Sequence, residues 1–83
     1  MTTQEFYNLA VMAAKEKGYE NPIVTVHTLC DKSGINHICK LWDGNKYIDS
    51  KLQKNPVSAI MAFKDAIDFH LKTYSNLEEG VEN

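Results

Sequence analysis

The sequence predicts an α+β domain in two layers, with the order α-β-β-β-α, a three-stranded antiparallel sheet and both helices packed on one face. Near each end of the chain, apolar residues recur every three or four positions, the period of an amphipathic helix. Between these segments, β-branched and polar residues alternate in three runs separated by turn residues. A sheet this small covers two amphipathic helices most simply when both lie on the same side. Its other face then stays open to solvent or to a partner.

The first helix is predicted to begin at a capping box and to end near Lys17. Thr2 and Glu5 have the required spacing, in which each side chain accepts a hydrogen bond from the other residue's backbone. Gly18 suits the left-handed position that follows a helix. The predicted apolar face carries Phe6, Leu9, Ala10 and Ala13.

Three strands are predicted at residues 23–30, 36–42 and 46–52, which are rich in β-branched and aromatic residues. Gly44-Asn45 is typical of a two-residue hairpin loop, because both residues tolerate positive φ. The second and third strands should therefore form a tight antiparallel hairpin.

The hairpin loop predicts which strand residues face the helices. Two loop residues put Leu41 opposite Ile48, and opposed residues share a face of the sheet. A slip by one residue would turn Lys40 and Asp49 toward the helices, at a high desolvation cost. The predicted core face carries Cys39, Leu41, Ile48 and Leu52.

The open face is the candidate binding surface. A first hairpin centred on Ser33-Gly34 gives it three rows of opposed residues: Thr25–Trp42–Tyr47, His27–Lys40–Asp49 and Leu29–Ile38–Lys51. This much apolar and aromatic surface exceeds the scattered apolar residues of an ordinary exterior, which indicates an interaction face. The alternative is a surface aromatic pair that stabilises the hairpin and nothing more. The candidate binding residues are Trp42, Tyr47, Ile38, Leu29, His27 and Thr25.

The second helix is predicted to begin with Asn55 as the N-cap and Pro56 as the first helical residue. Its apolar stripe consists of Ile60, Phe63, Ile67, Leu71 and Tyr74. Residues 1–74 are therefore predicted to form one small α+β domain. Residues 75–83 are polar and contain three glutamates, so we expect an acidic, flexible tail there.

The charge pattern limits the classes of function. The chain has 83 residues and a net charge of −2, and all nine of its Lys and Arg residues are lysines. Arginine is the preferred residue for bidentate recognition of phosphates and bases, so its absence disfavours specific nucleic-acid binding. A lysine patch close to the start of the second helix could still bind an anion. Its candidate residues are Lys32, Lys51 and Lys54, and the alternative is a solvated lysine face.

Residues suited to catalysis or metal binding form no recognisable motif. Cys30, His37 and Cys39 share the predicted core face, but a zinc site requires a fourth ligand and usually a closer pair of cysteines. Two cysteines are too few for a disulfide scaffold, so we expect buried free thiols, with a Cys30–Cys39 disulfide as the alternative in an oxidising setting. The four glycines stand at predicted turns or in the tail, which argues against a phosphate-binding loop. We therefore expect no enzyme activity, no metal and no cofactor.

Membrane and export signals are also not evident in the sequence. No apolar run approaches the roughly 20 residues that span a bilayer. The first residues lack the basic segment that begins a signal peptide. We expect a cytoplasmic protein without a membrane partner.

The element order resembles that of the double-stranded RNA-binding domain, over roughly residues 3–72. Asn21-Pro22 precedes the first strand much as a proline does in that family, and residues 38–67 have the spacing of its second and third strands and last helix. The resemblance implies that fold. It also implies RNA binding through the first helix, the loop between the first two strands and lysines at the start of the last helix. The corresponding positions here are Asp31-Lys32-Ser33-Gly34, without the Pro and His of the family, and Lys54.

Two further resemblances concern the second half of the chain and its composition. The segment from Asn36 onward is similar to HicB-type antitoxins, in which strands lead into an amphipathic helix rich in Ala and Leu. In composition, an arginine-free chain rich in Lys, Asn and Ile resembles products of phages and mobile elements, including inhibitors of host defence.

These observations lead to two hypotheses of function. The first is a small non-enzymatic interaction module that forms a homodimer or binds a protein through the open sheet face. The alternative is a nucleic-acid-binding domain of the double-stranded RNA type, or a regulatory or inhibitor protein of a phage or mobile element.

Overall fold

The structure is a computed structural model that describes the backbone of residues 1–82 and the side chains of residues 1–73. Its elements are α1 (Thr3–Glu16), β1 (Ile23–Asp31), β2 (Gly34–Trp42), β3 (Tyr47–Asp49) and α2 (Pro56–Glu82). The strands form one antiparallel sheet in the order β1-β2-β3. The predicted fold class and element order are confirmed. The predicted tail, residues 75–83, lies outside the described side chains, so its flexibility stays a prediction.

Both helices begin at the caps that the sequence predicts. At α1, Thr2 Oγ1 accepts a hydrogen bond from Glu5 N at 3.1 Å, and the Glu5 carboxylate accepts one from Thr2 N at 2.9 Å. At α2, the Asn55 side chain accepts a hydrogen bond from Ser58 N at 2.8 Å. These bonds satisfy backbone donors that the first turn of a helix leaves without partners.

The core lies between the two helices and one face of the sheet. α1 packs on β1, and α2 packs on β2 and β3. The strands contribute Val24, Cys39, Leu41 and Ile48 to the core, and the helices contribute Phe6, Ala10, Ala13, Ala14, Ala59, Phe63 and Ile67. Leu9 and Leu71, which the sequence placed on apolar helix faces, keep 38% and 36% of their surface exposed.

The predicted register of the second hairpin is confirmed. Leu41 pairs with Ile48, and Trp42 pairs with Tyr47. Gly44, the first loop residue, has a φ of 93°, a conformation that residues with a side chain rarely adopt. Leu41 and Ile48 are buried under α2, so their pairing determines which residues point to solvent.

β3 ends at a bulge that the sequence did not reveal. Ser50 N donates to Cys39 O at 3.0 Å, and further along His37 and Gln53 exchange backbone hydrogen bonds of 2.7 and 2.8 Å. Along β2, Cys39 and His37 are two residues apart, but their partners Ser50 and Gln53 are three residues apart. One extra residue is therefore inserted after β3. Lys51 takes a positive φ of 61° at this point.

The bulge corrects the predicted position of Leu52. The sequence placed this side chain on the core face, but it is 49% exposed. The inserted residue reverses the alternation of sides, so Leu52 points away from the helices. The predicted third strand, residues 46–52, shortens to Tyr47–Asp49.

The first hairpin pairs two residues away from the predicted register. Its loop is Lys32-Ser33, with Asp31 opposite Gly34, and not Ser33-Gly34. The Asp31 carboxylate accepts hydrogen bonds from Ser33 N at 2.7 Å and Ser33 Oγ at 2.6 Å, which fixes the turn one residue earlier.

This correction keeps the predicted faces but changes the neighbours across the strands. A shift of two residues leaves each side chain on the same side of the sheet. The predicted neighbours Thr25–Trp42, His27–Lys40 and Leu29–Ile38 are wrong. The observed pairs are Ile23–Trp42, Thr25–Lys40, His27–Ile38 and Leu29–Asn36.

Truncation of Leu41 on the core face and of Leu52 beyond the bulge should lower the free energy of unfolding by very different amounts. Leu41 is fully buried, whereas Leu52 is half exposed beyond the bulge. We expect Leu41→Ala to lower the free energy of unfolding by about 2–5 kcal/mol. We expect Leu52→Ala to lower it by less than about 1 kcal/mol. Urea unfolding followed by circular dichroism measures both, and equal losses would contradict the bulge.

Candidate functional site

The open face of the sheet carries an aromatic pair beside the second hairpin loop. The ring centroids of Trp42 and Tyr47 lie 4.9 Å apart, with an interplanar angle of 57°. Tyr47 is 52% exposed, and Trp42 is half-buried. Ile23, opposite Trp42 on β1, is 60% exposed and extends the row across all three strands. Sequence reasoning missed Ile23 because the predicted register put Thr25 in its place.

Charged side chains form the next row of the open face. Lys40 lies opposite Asp49 on β3 and opposite Thr25 on β1. The Lys40 ammonium also lies 5.7 Å from the centroid of the Tyr47 ring, within the range of a cation–π contact. This row carries one positive and one negative charge, so the centre of the open face has no net charge.

The remaining predicted binding residues lie toward the first hairpin loop. His27 and Leu29 are exposed, and Ile38 is half-buried. Leu29 lies opposite Asn36, whose buried amide donates to Ser33 Oγ at 3.0 Å. The structure therefore brings all six predicted binding residues to one face, and whether that face binds a partner stays a prediction.

A groove that the sequence did not predict runs between the edge of β3 and α2. It has a volume of about 530 Å³ and is lined on one side by residues 46–51. Its α2 side includes the small residues Ala62 and Ala66, together with Phe69, which is 73% exposed. These three residues are spaced four and three positions apart, so they share one helix face. The spacing alone does not predict a groove, because the groove also depends on where β3 lies.

The edge of β3 presents backbone groups to this groove. Hydrogen-bonded pairs alternate along an antiparallel ladder, and Ser50 N donates to Cys39 O. Ile48 therefore bonds to β2, whereas Tyr47 and Asp49 direct their N–H and C=O groups away from it. Within the described part of the chain, no strand pairs with this edge.

One carboxylate ties the second hairpin loop to α2. Asp43 Oδ1 accepts hydrogen bonds from Asn45 N at 2.9 Å and Lys46 N at 2.7 Å, and Oδ2 lies 3.1 Å from His70 Nε2. Asp43 and His70 expose 9% and 11% of their side chains. The backbone donors of Lys46 and Asn45 hold the pKa of Asp43 below its ordinary value, and the His70 charge adds to this effect. Burial and the charge of Asp43 raise the pKa of the nearby Tyr19 hydroxyl.

Cys39 and His37 on the core face of the sheet take part in packing. Cys39 is fully buried, and burial raises the pKa of its thiol to about 12. His37 packs edge-on against Phe6 with ring centroids 5.7 Å apart, and shares a hydrogen bond of 3.1 Å with Thr28. The expected burial of Cys30 is wrong, because this residue is exposed, and both cysteines are free thiols. Among the residues that the structure describes, no group of three or more His, Cys, Asp or Glu is placed to hold a metal ion.

Two of the three lysines of the predicted basic patch meet at the first hairpin. Lys54 Nζ donates to Ser33 O at 2.9 Å, next to Lys32 in the loop. The Lys51 side chain is 86% exposed, and its ammonium lies 3.7 Å from the Asp49 carboxylate. Anion binding by this patch stays a prediction.

Comparisons with known proteins identify no relative of this chain. No protein-family model, no curated protein and no solved structure matches it. The observed topology is compatible with the fold of the double-stranded RNA-binding domain. Over the described residues, none of the helices combines the length and apolar character needed to cross a membrane.

Replacing Asp43 should destabilise the chain in a pH-dependent way. Asp43→Asn keeps an oxygen that can accept the backbone hydrogen bonds but removes the charge beside His70. Because the folded state lowers the pKa of Asp43, the charged carboxylate stabilises the fold at neutral pH, and this stability is lost as the pH falls. We expect a lower Tm for the variant at pH 7, with the difference from wild type shrinking between about pH 5 and pH 2. Thermal unfolding at several pH values measures this, and a difference that grows toward acid would refute it.

Proposed function

We propose that this chain is a non-enzymatic interaction module that associates through the open face of its sheet, with a second copy of the chain as the partner. The observation that carries the proposal is the row Ile23–Trp42–Tyr47, in which Ile23 is 60% and Tyr47 is 52% exposed. Tryptophan and tyrosine are enriched at the centres of protein interfaces, where their burial supplies much of the binding free energy.

The surroundings of the aromatic row support a protein partner. Leu29, 46% exposed, and the half-buried Ile38 continue the apolar surface along the first hairpin. Lys40 and Asp49 lie opposite each other between these groups. An interface that covered the face would therefore bury a matched pair of charges, which costs less than burying one charge alone.

A second copy of the chain fits this face for two reasons. A two-fold interface brings identical surfaces together, so a face with charges of one sign would repel itself. The central row here carries both signs, in Lys40 and Asp49. A chain of 83 residues also has a small core, and association adds buried apolar area that such a chain lacks.

Removing the indole should weaken self-association without unfolding the chain. We expect Trp42→Ala to weaken an association step by roughly thirtyfold, the effect of losing about 2 kcal/mol at an interface centre. The far-ultraviolet circular dichroism should stay close to that of the wild type, because the indole lies outside the core. Analytical ultracentrifugation over a range of concentrations measures the association.

Tyr7→Ala is the matched control for this experiment. Tyr7 is an aromatic residue on α1 with 38% of its surface exposed, far in sequence from the open face. Its removal should leave self-association unchanged. A wild-type chain that stays monomeric at millimolar concentration, or equal effects of the two variants, would reject the proposal.

A further inference from the structure

We infer that the groove between β3 and α2 is a second interface, which binds the same edge of another copy and extends the sheet from three to six strands. This inference concerns a different surface from the open face and does not depend on association there. Three features of the groove support it: the free backbone groups of β3, the shape of the α2 wall and a complementary pair of charges.

The backbone of β3 is suited to antiparallel pairing with itself. Tyr47 and Asp49 direct N–H and C=O groups outward, with Ile48 between them. If a two-fold axis passes through Ile48, Tyr47 of one copy lies opposite Asp49 of the other. Each of the two resulting pairs exchanges two hydrogen bonds, so an edge that is open in one chain becomes paired.

The same two-fold axis brings the α2 helices of the two copies side by side. Both helices of each chain cover one face of its sheet, and continuing the sheet keeps that face on the same side. The adjoining α2 walls contain Ala62 and Ala66, which leave room for a large side chain from the other copy. Phe69, 73% exposed, is the large apolar side chain on that wall, and pairing would remove it from water.

Charge complementarity favours a second copy over an unrelated peptide. Asp43 contacts α2, so Asp43 and the opposed residue Lys46 lie on the helix side of the sheet. In the self-paired edge, Lys46 falls beside Ser50 of the other copy, and Asp65 lines the same groove as Ser50. Among the described side chains, Asp65 takes part in no ion pair within its own chain, and the Lys46 ammonium makes none within 4 Å, although its charge helps to lower the pKa of Asp43. Two-fold pairing would join Lys46 and Asp65 twice.

A charge exchange between these two residues tests the interface. The Trp42→Ala chain is the background, because we expect it to weaken association through the open face roughly thirtyfold. We expect this chain to remain a dimer, and we expect Lys46→Asp or Asp65→Lys to weaken that dimer at least tenfold. The double variant again carries opposite charges at the two positions, with the signs exchanged. Its dimer dissociation constant should therefore return to within a few-fold of that of the background chain. Sedimentation equilibrium measures all four chains.

Two controls make the outcome specific to the groove. Lys72→Asp changes the charge of α2 by the same amount at an exposed residue outside the groove lining, and should leave the dimer intact. Phe69→Ser, at an exposed position, should weaken the dimer without a change in circular dichroism. A monomeric Trp42→Ala chain would overturn the inference. The inference would also be overturned if the single charge changes left the dimer affinity unchanged, or if the double variant dimerised as weakly as the single variants.

The same measurements separate this inference from the proposed function. If both interfaces exist, the wild-type chain forms an assembly of four copies with two kinds of two-fold contact. Loss of the open-face contact then leaves a dimer through β3, and loss of the β3 contact leaves a dimer through the open face. A wild-type dimer that Lys46→Asp dissociates and Trp42→Ala does not would support the groove and reject the open face.

Discussion

The pairing of Leu41 with Ile48 is the contact on which the rest of this structure depends. Both side chains are buried under α2, and because side chains alternate along a strand, their neighbours Trp42 and Tyr47 must point to solvent. Asp43 strengthens the arrangement, since its carboxylate binds the backbone of the loop with one oxygen and approaches His70 of α2 with the other. The loop that fixes the register is thus also the loop that is held against the helix.

Features determined by residues close in sequence could be predicted. The capping box at Thr2 and the Asn55 N-cap follow from side chains that reach backbone donors within one helical turn. The Gly44-Asn45 loop follows from the positive φ that its first position requires. The first hairpin could not be resolved in this way, because Gly34 is compatible with either position of the loop. Hydrogen bonds from Ser33 to the Asp31 carboxylate decide between them. They are also local, and the Asp-x-Ser spacing is the signal of this turn that the prediction overlooked.

The bulge after β3 and the groove beside it could not be predicted, because they depend on contacts between distant residues. A lysine with positive φ is unfavourable on its own, so Lys51 carries no local signal for that conformation. The chain is held there by Ser50 Oγ, which accepts a hydrogen bond from Cys39 N at 3.0 Å, and by the paired backbones of His37 and Gln53. The bulge limits β3 to three residues and thereby sets the length of the edge that faces α2. The proposed face and the proposed edge both contain β3, so one short strand would serve two interfaces at right angles to each other.

The register of β2 and β3 can be measured directly from nuclear Overhauser effects between backbone Hα protons. Pairs that are not hydrogen-bonded bring their Cα atoms to about 4.5 Å, so their Hα protons give strong cross-peaks. We expect such cross-peaks between Trp42 and Tyr47 and between Lys40 and Asp49, with no contact from the Trp42 indole to Phe63 of its own core. Hα cross-peaks displaced by one residue, together with indole contacts to Phe63, would contradict the assignment of the core and open faces.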